Sequence, residues 1–311
     1  MKVTATDRRT LPAGAAISTW AAADGWPLRR FDWPQPNGAE PRGSLIFAGG
    51  RGDFIEKYLE PLGHWHGQGW NVTSLDWRGQ GGSSGTIKGG HLDSFDPLVA
   101  DFAALAERWL AERPGPHVAV AHSMGGHLLL RVLAEHRPAF DAAVLVAPMI
   151  GINASPVPAW LGGFVAGAMR RLGRRQKLAW KHNERPAPPG SSRQAYLTSC
   201  ADRYGDELWW RLQRPGFDLG PPSWGWLDAA YRSMKGLTPR LMRDVETPLL
   251  LLGTDRDRLV SPTAIRRAAK LLPNAELRMF EAAAHELLRE SDPVRLEALA
   301  RIDGFLDAHA R

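Results

Sequence analysis

Residues 117–131 read His-Val-Ala-Val-Ala-His-Ser-Met-Gly-Gly-His-Leu-Leu-Leu-Arg. The short apolar run Val118–Ala121 has the length and composition of a buried strand. Leu128, Leu129, Leu130, Val132 and Leu133 then follow with helical spacing. Between the two runs, Ser123 stands on a sharp strand-to-helix turn among small residues. Such a turn pushes a serine hydroxyl out above the sheet edge. The helix that starts there aims free N–H groups and a partial positive charge at the same point. The pattern is Ala121-x-Ser123-x-Gly125, with alanine where this kind of turn usually has its first glycine. Alone, such a match equally describes a buried serine with no chemistry. What separates the readings is whether an acid and a histidine follow in the chain.

They do. Leu249–Gly253 is a second buried-strand pattern and runs into Asp255 and Asp257. Glu276–Phe280 is a third, weaker strand, and runs into His285. Both polar groups lie just past the C-terminal ends of expected strands, where open parallel sheets place their sites. The order Ser, Asp, His is that of the α/β-hydrolases. Ser123 is therefore read as a nucleophile and His285 as its base, with an acid from the 255–257 turn.

The chain has 311 residues, 44% of them hydrophobic, which is ample for a sizeable core. Cys200 is the single cysteine, so no intramolecular disulfide forms, consistent with a reducing compartment. The N-terminal stretch Met1–Leu11 is polar and carries no secretory h-region. No run of about 18 apolar residues predicts a spanning helix. The expected location is cytoplasmic, or peripheral at the inner face of the membrane. A net charge of +6 fits nucleic acid or anionic membrane as a partner. Zinc-finger spacing, an RNA-binding sheet signature and a long basic tail are all missing, which speaks against nucleic acid.

Along the chain, Ile17–Trp20 and Leu28–Trp33 read as an antiparallel edge pair around the turn Asp24-Gly25. Ser44–Ala48 is a core strand followed by Gly49-Gly50-Arg51-Gly52-Asp53. In a hydrolase of this order, that loop supplies one oxyanion donor and the residue after the nucleophile the other. The backbone N–H groups of Arg51 and Met124 are the expected pair. Phe54–Gly67 reads as a helix, with His64 and His66 as surface or helix-end histidines. Val72–Asp76 is a strand, Asp93–Arg113 an amphipathic helix, and Ala142–Ala147 a buried strand.

The alternation then breaks. Residues 150–235 show no strand pattern and many of the chain's 13 tryptophans, which predicts a helical cap inserted into a core of 1–149 and 236–311. The first part, Val157–Met169, is apolar. Arg170, Arg171, Arg174, Arg175, Lys177 and Lys181 follow. Apolar-then-basic suits an interfacial segment on anionic lipid, and suits equally a cap helix with a solvated basic end. Trp224 and Trp226 are candidates for the wall of an apolar pocket. Ser261–Leu272 and Pro293–His309 complete the helices.

Five motifs carry a family resemblance: Gly50-Arg-Gly-Asp-Phe-Ile-Glu-Lys-Tyr58, Asp76-Trp-Arg-Gly-Gln-Gly81, His122-Ser-Met-Gly-Gly126, Asp257-Arg-Leu-Val-Ser-Pro262 and His285-Glu-Leu-Leu-Arg-Glu290. The chain resembles, over nearly its whole length, an α/β-hydrolase of the bacterial lysophospholipase and monoacylglycerol-lipase group. Leu197-Thr-Ser and Trp224-Gly-Trp-Leu227 are similar to the cap of the lysophospholipase branch. Two positions depart from the pattern: Gly49 stands where monoacylglycerol lipases have the histidine of His-Gly, and Ala121 replaces the elbow glycine. The resemblance implies Asp257 rather than Asp255 as the acid, because the family's acid precedes Arg-Leu/Ile-Val; Asp255 would then cap the turn. It implies a mostly parallel sheet flanked by helices, a Ser123–Asp257–His285 triad, no metal or organic cofactor, and a small-molecule lipid or ester substrate. A lysophospholipase comes first, with a monoacylglycerol lipase or general carboxylesterase as the alternative. A prolyl-aminopeptidase-like enzyme shares the triad and would need cap carboxylates such as Glu184, Asp202, Asp206 or Glu207. A non-catalytic binding protein would leave the three polar residues unexplained.

Overall fold

Strand β3 (Gly43–Ala48) shows how the layers arise. Its side chains alternate, as pleating requires: Leu45 and Phe47 enter one buried cluster, Ile46 and Ala48 the other. The same division holds for Val118 and Val120 against Ala119 and Ala121 in β5 (His117–His122). A strand buried on both faces must be covered on both, and helices do this.

The computed structural model describes residues 7–83, 90–153, 159–180 and 186–310. Its strands are β1 (Ala16–Ala21), β2 (Pro27–Trp33), β3, β4 (Trp70–Leu75), β5 (His117–His122), β6 (Ala142–Val146), β7 (Leu249–Thr254) and β8 (Ala275–Phe280). They form one eight-stranded sheet in the order β1-β2-β4-β3-β5-β6-β7-β8. β2 runs antiparallel to β1 and β4, and the other pairings are parallel. Every strand expected from the sequence is present, and the first pair is the antiparallel edge hairpin.

Helix α1 (Leu59–Gly67) packs near β4; the chain leading into it, Ile55–Tyr58, is a tighter 3₁₀ turn rather than part of one helix from Phe54. Helices α2 (Asp96–Glu112) and α3 (Met124–Glu135) pack on each other, and α3 packs on β5 and β6. Between β6 and β7 the described residues form α4 (Ala159–Arg171), α5 (Ser192–Leu197), α6 (Ala201–Gln213), α7 (Trp224–Gly236) and α8 (Pro239–Arg243). Leu197 ends α5 and Tyr204 lies in α6, with extended Thr198 and Cys200 between the two helices. Val157, Lys181 and Glu184 lie outside the described residues. α9 (Pro262–Leu271) and α10 (Asp292–His309) close the fold. No helix among the described residues is long and apolar enough to cross a membrane.

Candidate active site

Ser123 is the single residue between β5 and α3, and its backbone is held at φ 53°, ψ −117°. A non-glycine residue with positive φ is strained, so the surroundings must impose the conformation. The Ser123 N–H donates to the Val146 carbonyl at 2.9 Å, and its own carbonyl accepts from the amides of His127 at 3.1 Å and Met149 at 2.9 Å. The turn also needs contact without side chains. A β-carbon at Gly125 would lie 2.4 Å from the Gly49 carbonyl oxygen. Ala121 tolerates its methyl because it sits within β5, fully buried in the apolar cluster.

β7 and β8 bring the partners. His285 Nε2 lies 2.9 Å from Ser123 Oγ, and His285 Nδ1 lies 2.7 Å from Asp257 Oδ2. The network assigns the tautomer: Nδ1–H donates to the carboxylate, and Nε2 accepts from the hydroxyl. Asp257 Oδ1 accepts the amides of Leu259 and Val260 at 2.8 and 2.9 Å, which fixes the carboxylate. Burial opposes charge on His285, but Asp257's charge and hydrogen bond outweigh it and raise the imidazole above its ordinary 6.5. Burial likewise works against the Asp257 carboxylate, and His285 with the two amides holds it below the ordinary 3.8. Asp255 is turned away, forked onto exposed Arg266 at 2.6 and 2.8 Å; it forms this surface pair instead of capping the turn.

The Gly49–Asp53 loop crosses directly over the serine. Trp77 Nε1 donates to the Gly49 carbonyl at 2.7 Å and pins the loop. The Gly50 N–H donates to Asp53 Oδ2 at 2.5 Å, and a β-carbon at Gly50 would touch the Ser123 β-carbon at 2.9 Å. At Gly49 a β-carbon would lie 3.0 Å from the Asp53 β-carbon, so a side chain there would require Asp53 to shift. Met124 opens α3, so its amide is one of the first-turn N–H groups with no partner inside the helix. The buried Arg51 guanidinium donates to the Gly220 carbonyl at 3.0 Å and lies 4.9 Å from the Trp226 ring centroid. Burial and neighbouring Arg211 push its pKa down to about 9.

Behind the loop lies a buried ion network that sequence reasoning missed. Lys57 Nζ donates to Asp53 and to Glu286, each at 2.6 Å, and lies 3.3 Å from Glu207. Glu207 on α6 also accepts from Arg193 at 2.7 Å and Arg211 at 3.0 Å, and Arg289 joins Glu286 and Glu207. Tyr58 OH donates to Asp53 at 2.8 Å and meets His122 Nδ1 at 2.9 Å.

Ser123 and His285 open into a cavity of about 640 Å³. Its apolar wall includes Met149, Ile152, Trp180, Leu219, Trp226 and Leu227. Trp226 thus faces the cavity, and Trp224 does not line it but packs on the hydrophobic core. Two residues apart on α7, they are about 200° apart around the axis, so both cannot face the same space. Asp202, Asp206 and Glu207 do not line the cavity: Asp206 pairs with Arg8 and Arg9, and Glu207 is consumed by the buried network. Among the described residues, no group of three or more His, Cys, Asp or Glu side chains is arranged to hold a metal ion.

Residues 39–292 match the family described as serine aminopeptidase, S33. A probable lysophospholipase L2 of Haemophilus influenzae is 30% identical over 289 residues, spanning 89% of this chain and 87% of the relative. Lysophospholipase L2 of Escherichia coli is 27% identical over 293 residues, spanning 85% and 80%. Among solved structures, a soluble variant of monoglyceride lipase from Saccharomyces cerevisiae superposes with a TM-score of 0.75 at 15% identity, covering 97% of this chain and 98% of that one. A monoacylglycerol lipase from Paleococcus ferrophilus gives 0.70 at 20% identity, covering 91% and 99%. The fold is that of the α/β-hydrolases.

Proposed function

We propose that this chain, which belongs to the serine aminopeptidase S33 family, is a serine carboxylic-ester hydrolase for lipid-like substrates, first among them lysophospholipids. The observation that carries the reading is the continuous relay Ser123–His285–Asp257, at 2.9 and 2.7 Å, facing a cavity with an apolar wall. The names of its Haemophilus and Escherichia relatives support the lysophospholipid.

In this mechanism His285 Nε2 takes the Ser123 proton as Oγ attacks the acyl carbon. Asp257 keeps the imidazole in the receiving tautomer and stabilises the imidazolium. The backbone N–H groups of Arg51 and Met124 hold the developing oxyanion; one such donor is worth about 3 kcal/mol. His285 then protonates the leaving alcohol, the C–O bond breaks, and an acyl-Ser123 ester remains. Water, deprotonated by His285, cleaves that ester and releases the fatty acid. Residues 150–235 serve as a lid on a core of 1–149 and 236–311, and Trp226 walls the acyl site. A peptidase reading lacks support, since none of the described carboxylates weighed for holding a substrate amine faces the cavity.

The exposed side of α4 supports peripheral contact with an anionic membrane. Gly162 and Gly163 press α4 onto Tyr231, while Trp160 is 73%, Phe164 67% and Leu172 69% exposed. Arg171 and Arg174 are exposed beside them. Apolar anchors next to cations bind headgroup regions. Co-sedimentation with phosphatidylglycerol vesicles, but not with phosphatidylcholine vesicles, and its loss in Trp160→Ala/Phe164→Ala, tests this.

The first experiment compares fatty-acid release from a lysophospholipid, a monoacylglycerol and p-nitrophenyl butyrate by the wild type and Ser123→Ala. Release from the lysophospholipid that disappears in the variant is expected. Equal release by the variant would sink the mechanism. Release from the other two esters only would keep the mechanism and remove the substrate.

A further inference from the structure

The lining of the cavity is cationic on one side in a way ester hydrolysis does not require. Arg193 and Tyr196 lie three residues apart on α5, so they share a face, and both line the cavity. Arg193 Nη2 donates to Glu207 at 2.7 Å, and its guanidinium lies 5.4 Å from the Tyr204 ring centroid. Its Nη1 is buried and has no hydrogen-bond partner. A buried guanidinium N–H left open is costly unless something else meets it. Arg258 stands across Tyr196, with its guanidinium 5.5 Å from that ring centroid, and also lines the cavity. Among the described residues, no carboxylate pairs with Arg258.

The position of these cations follows from the relay. Arg258 is the residue after Asp257. The His285 N–H donates to the Tyr196 carbonyl at 3.3 Å. Both guanidinium groups are therefore carried by the segments that hold the His285–Asp257 pair. In acyl transfer the imidazole protonates the leaving oxygen, so the leaving group occupies the histidine's side of the serine. The acyl chain takes the apolar wall of Trp180, Leu219, Trp226 and Leu227. The Arg258 charge and the unpaired Nη1 of Arg193 thus lie on the side of the leaving alcohol.

We propose that Arg258 and the open Nη1 of Arg193 form a subsite for a phosphate ester on the leaving-group side of Ser123. It rests on the ester-hydrolase reading above and names what the enzyme recognises in the alcohol it releases. The guanidinium fork matches tetrahedral phosphate oxygens, which Lys matches less well. Arg51 and Arg211 also reach the cavity, but Arg211 is spent on Glu207, the Gly52 and Phe217 carbonyls and Asp218. Asp53 and Glu286, the acidic lining residues, are held by Lys57 and do not cancel the pair.

The test is a preference. For the wild type, Arg258→Gln and Arg193→Lys, kcat/KM is measured on a lysophosphatidic acid and on a monoacylglycerol of the same acyl chain. Arg258→Gln is expected to lower the ratio of the two by about 10- to 100-fold, the worth of a charge-assisted hydrogen bond. Arg193→Lys retains the charge and part of the preference. Arg258 is exposed, so a folding failure does not obscure this arm. In parallel, sn-glycerol 3-phosphate is tested as a competitive inhibitor of p-nitrophenyl butyrate hydrolysis, with inorganic phosphate beside it. Its Ki is expected to rise about 10-fold in Arg258→Gln. If the ratio is unchanged, whether kcat/KM holds or falls equally for both substrates, the subsite is overturned while the ester hydrolase stands. If the wild type ignores the lysophospholipid yet glycerol phosphate inhibits through Arg258, the subsite stands and the lysophospholipid reading falls. Inhibition by inorganic phosphate as strong as by glycerol phosphate, with no preference among the esters, would make this a free-phosphate site and overturn the leaving-group assignment.

Discussion

His285 and Glu286 are neighbours in the chain, both almost fully buried, and each belongs to a different array of charge. His285 sits in a line of three groups whose far end, the Ser123 hydroxyl, faces the cavity. Glu286 sits in a knot, where Lys57, Arg289, Asp53 and Glu207 close on one another. A line with a free end can pass a proton to something that arrives. A closed knot has its charges partnered already, and what it supplies is position: Asp53 holds the Gly50 amide, and Glu207 ties α6 to the core. Chemistry and geometry are thus divided between adjacent residues.

That division can be broken, and the largest effect is expected on the line. Asp257→Asn keeps the shape but supports the wrong imidazole tautomer, and should lower kcat/KM by about 10⁴-fold with little change in thermal midpoint. A loss under tenfold would place the acid elsewhere. The knot should respond the other way. Lys57→Met leaves buried carboxylates facing one another and should cost roughly 3–5 kcal/mol of stability in urea unfolding. A cost below about 1 kcal/mol would mean that the network is solvated in solution.

The pH profile sharpens the comparison. Burial disfavours the His285 cation, yet Asp257 raises its pKa above 6.5, and only the neutral ring accepts the serine proton. The acid limb of kcat/KM should therefore fall above pH 6.5, and shift to lower pH in Asp257→Asn. Stability has the opposite sign: what the His285 cation gains from Asp257 is complete below pH 6.5 and lost as pH rises through the raised value. An acid limb below pH 6.5 in the wild type would contradict the buried pair. The smallest effect is expected outside both arrays. Asp255→Asn removes an exposed pair with Arg266, worth at most about 1 kcal/mol, and should leave kcat/KM within about twofold.

How much of this was legible varies with how local the signal is. The strands on either side of the elbow are short apolar runs bounded by turns, so the sheet could be read from residues 44–48, 118–121 and 249–253 without knowledge of their neighbours. Ser123 stood out because it follows β5 directly, and His285 because it lies in the short turn just past the end of β8. Trp224 and Trp226 were paired because they are close in sequence, and the pitch of α7 separated them. The knot was invisible for the opposite reason. Asp53/Lys57, Glu207/Arg211 and Glu286/Arg289 each have the spacing of an ordinary helical ion pair. Nothing in one chain segment says that the three pairs share a single buried space, and Glu207 was instead weighed as a carboxylate for binding a substrate amine.

The unequal anchoring of the helices over the cavity sets which of them can swing. α6 is bolted down: Glu207 reaches into the knot, and Arg203 bonds Glu60 at 2.6 and 2.8 Å and Asp292 at 2.6 Å. Lifting it would strip partners from buried charge, at several kcal/mol. α4 packs on α7 through Gly162 and Gly163 against Tyr231 and through an ion pair, Arg170 to Asp228 at 2.8 Å, and carries exposed Trp160 and Phe164. Amide exchange should release α4 well before α6. The door for a long acyl chain would then hinge on the α4 side, so that the surface proposed above for membrane contact and the way into the cavity would be the same piece of the protein.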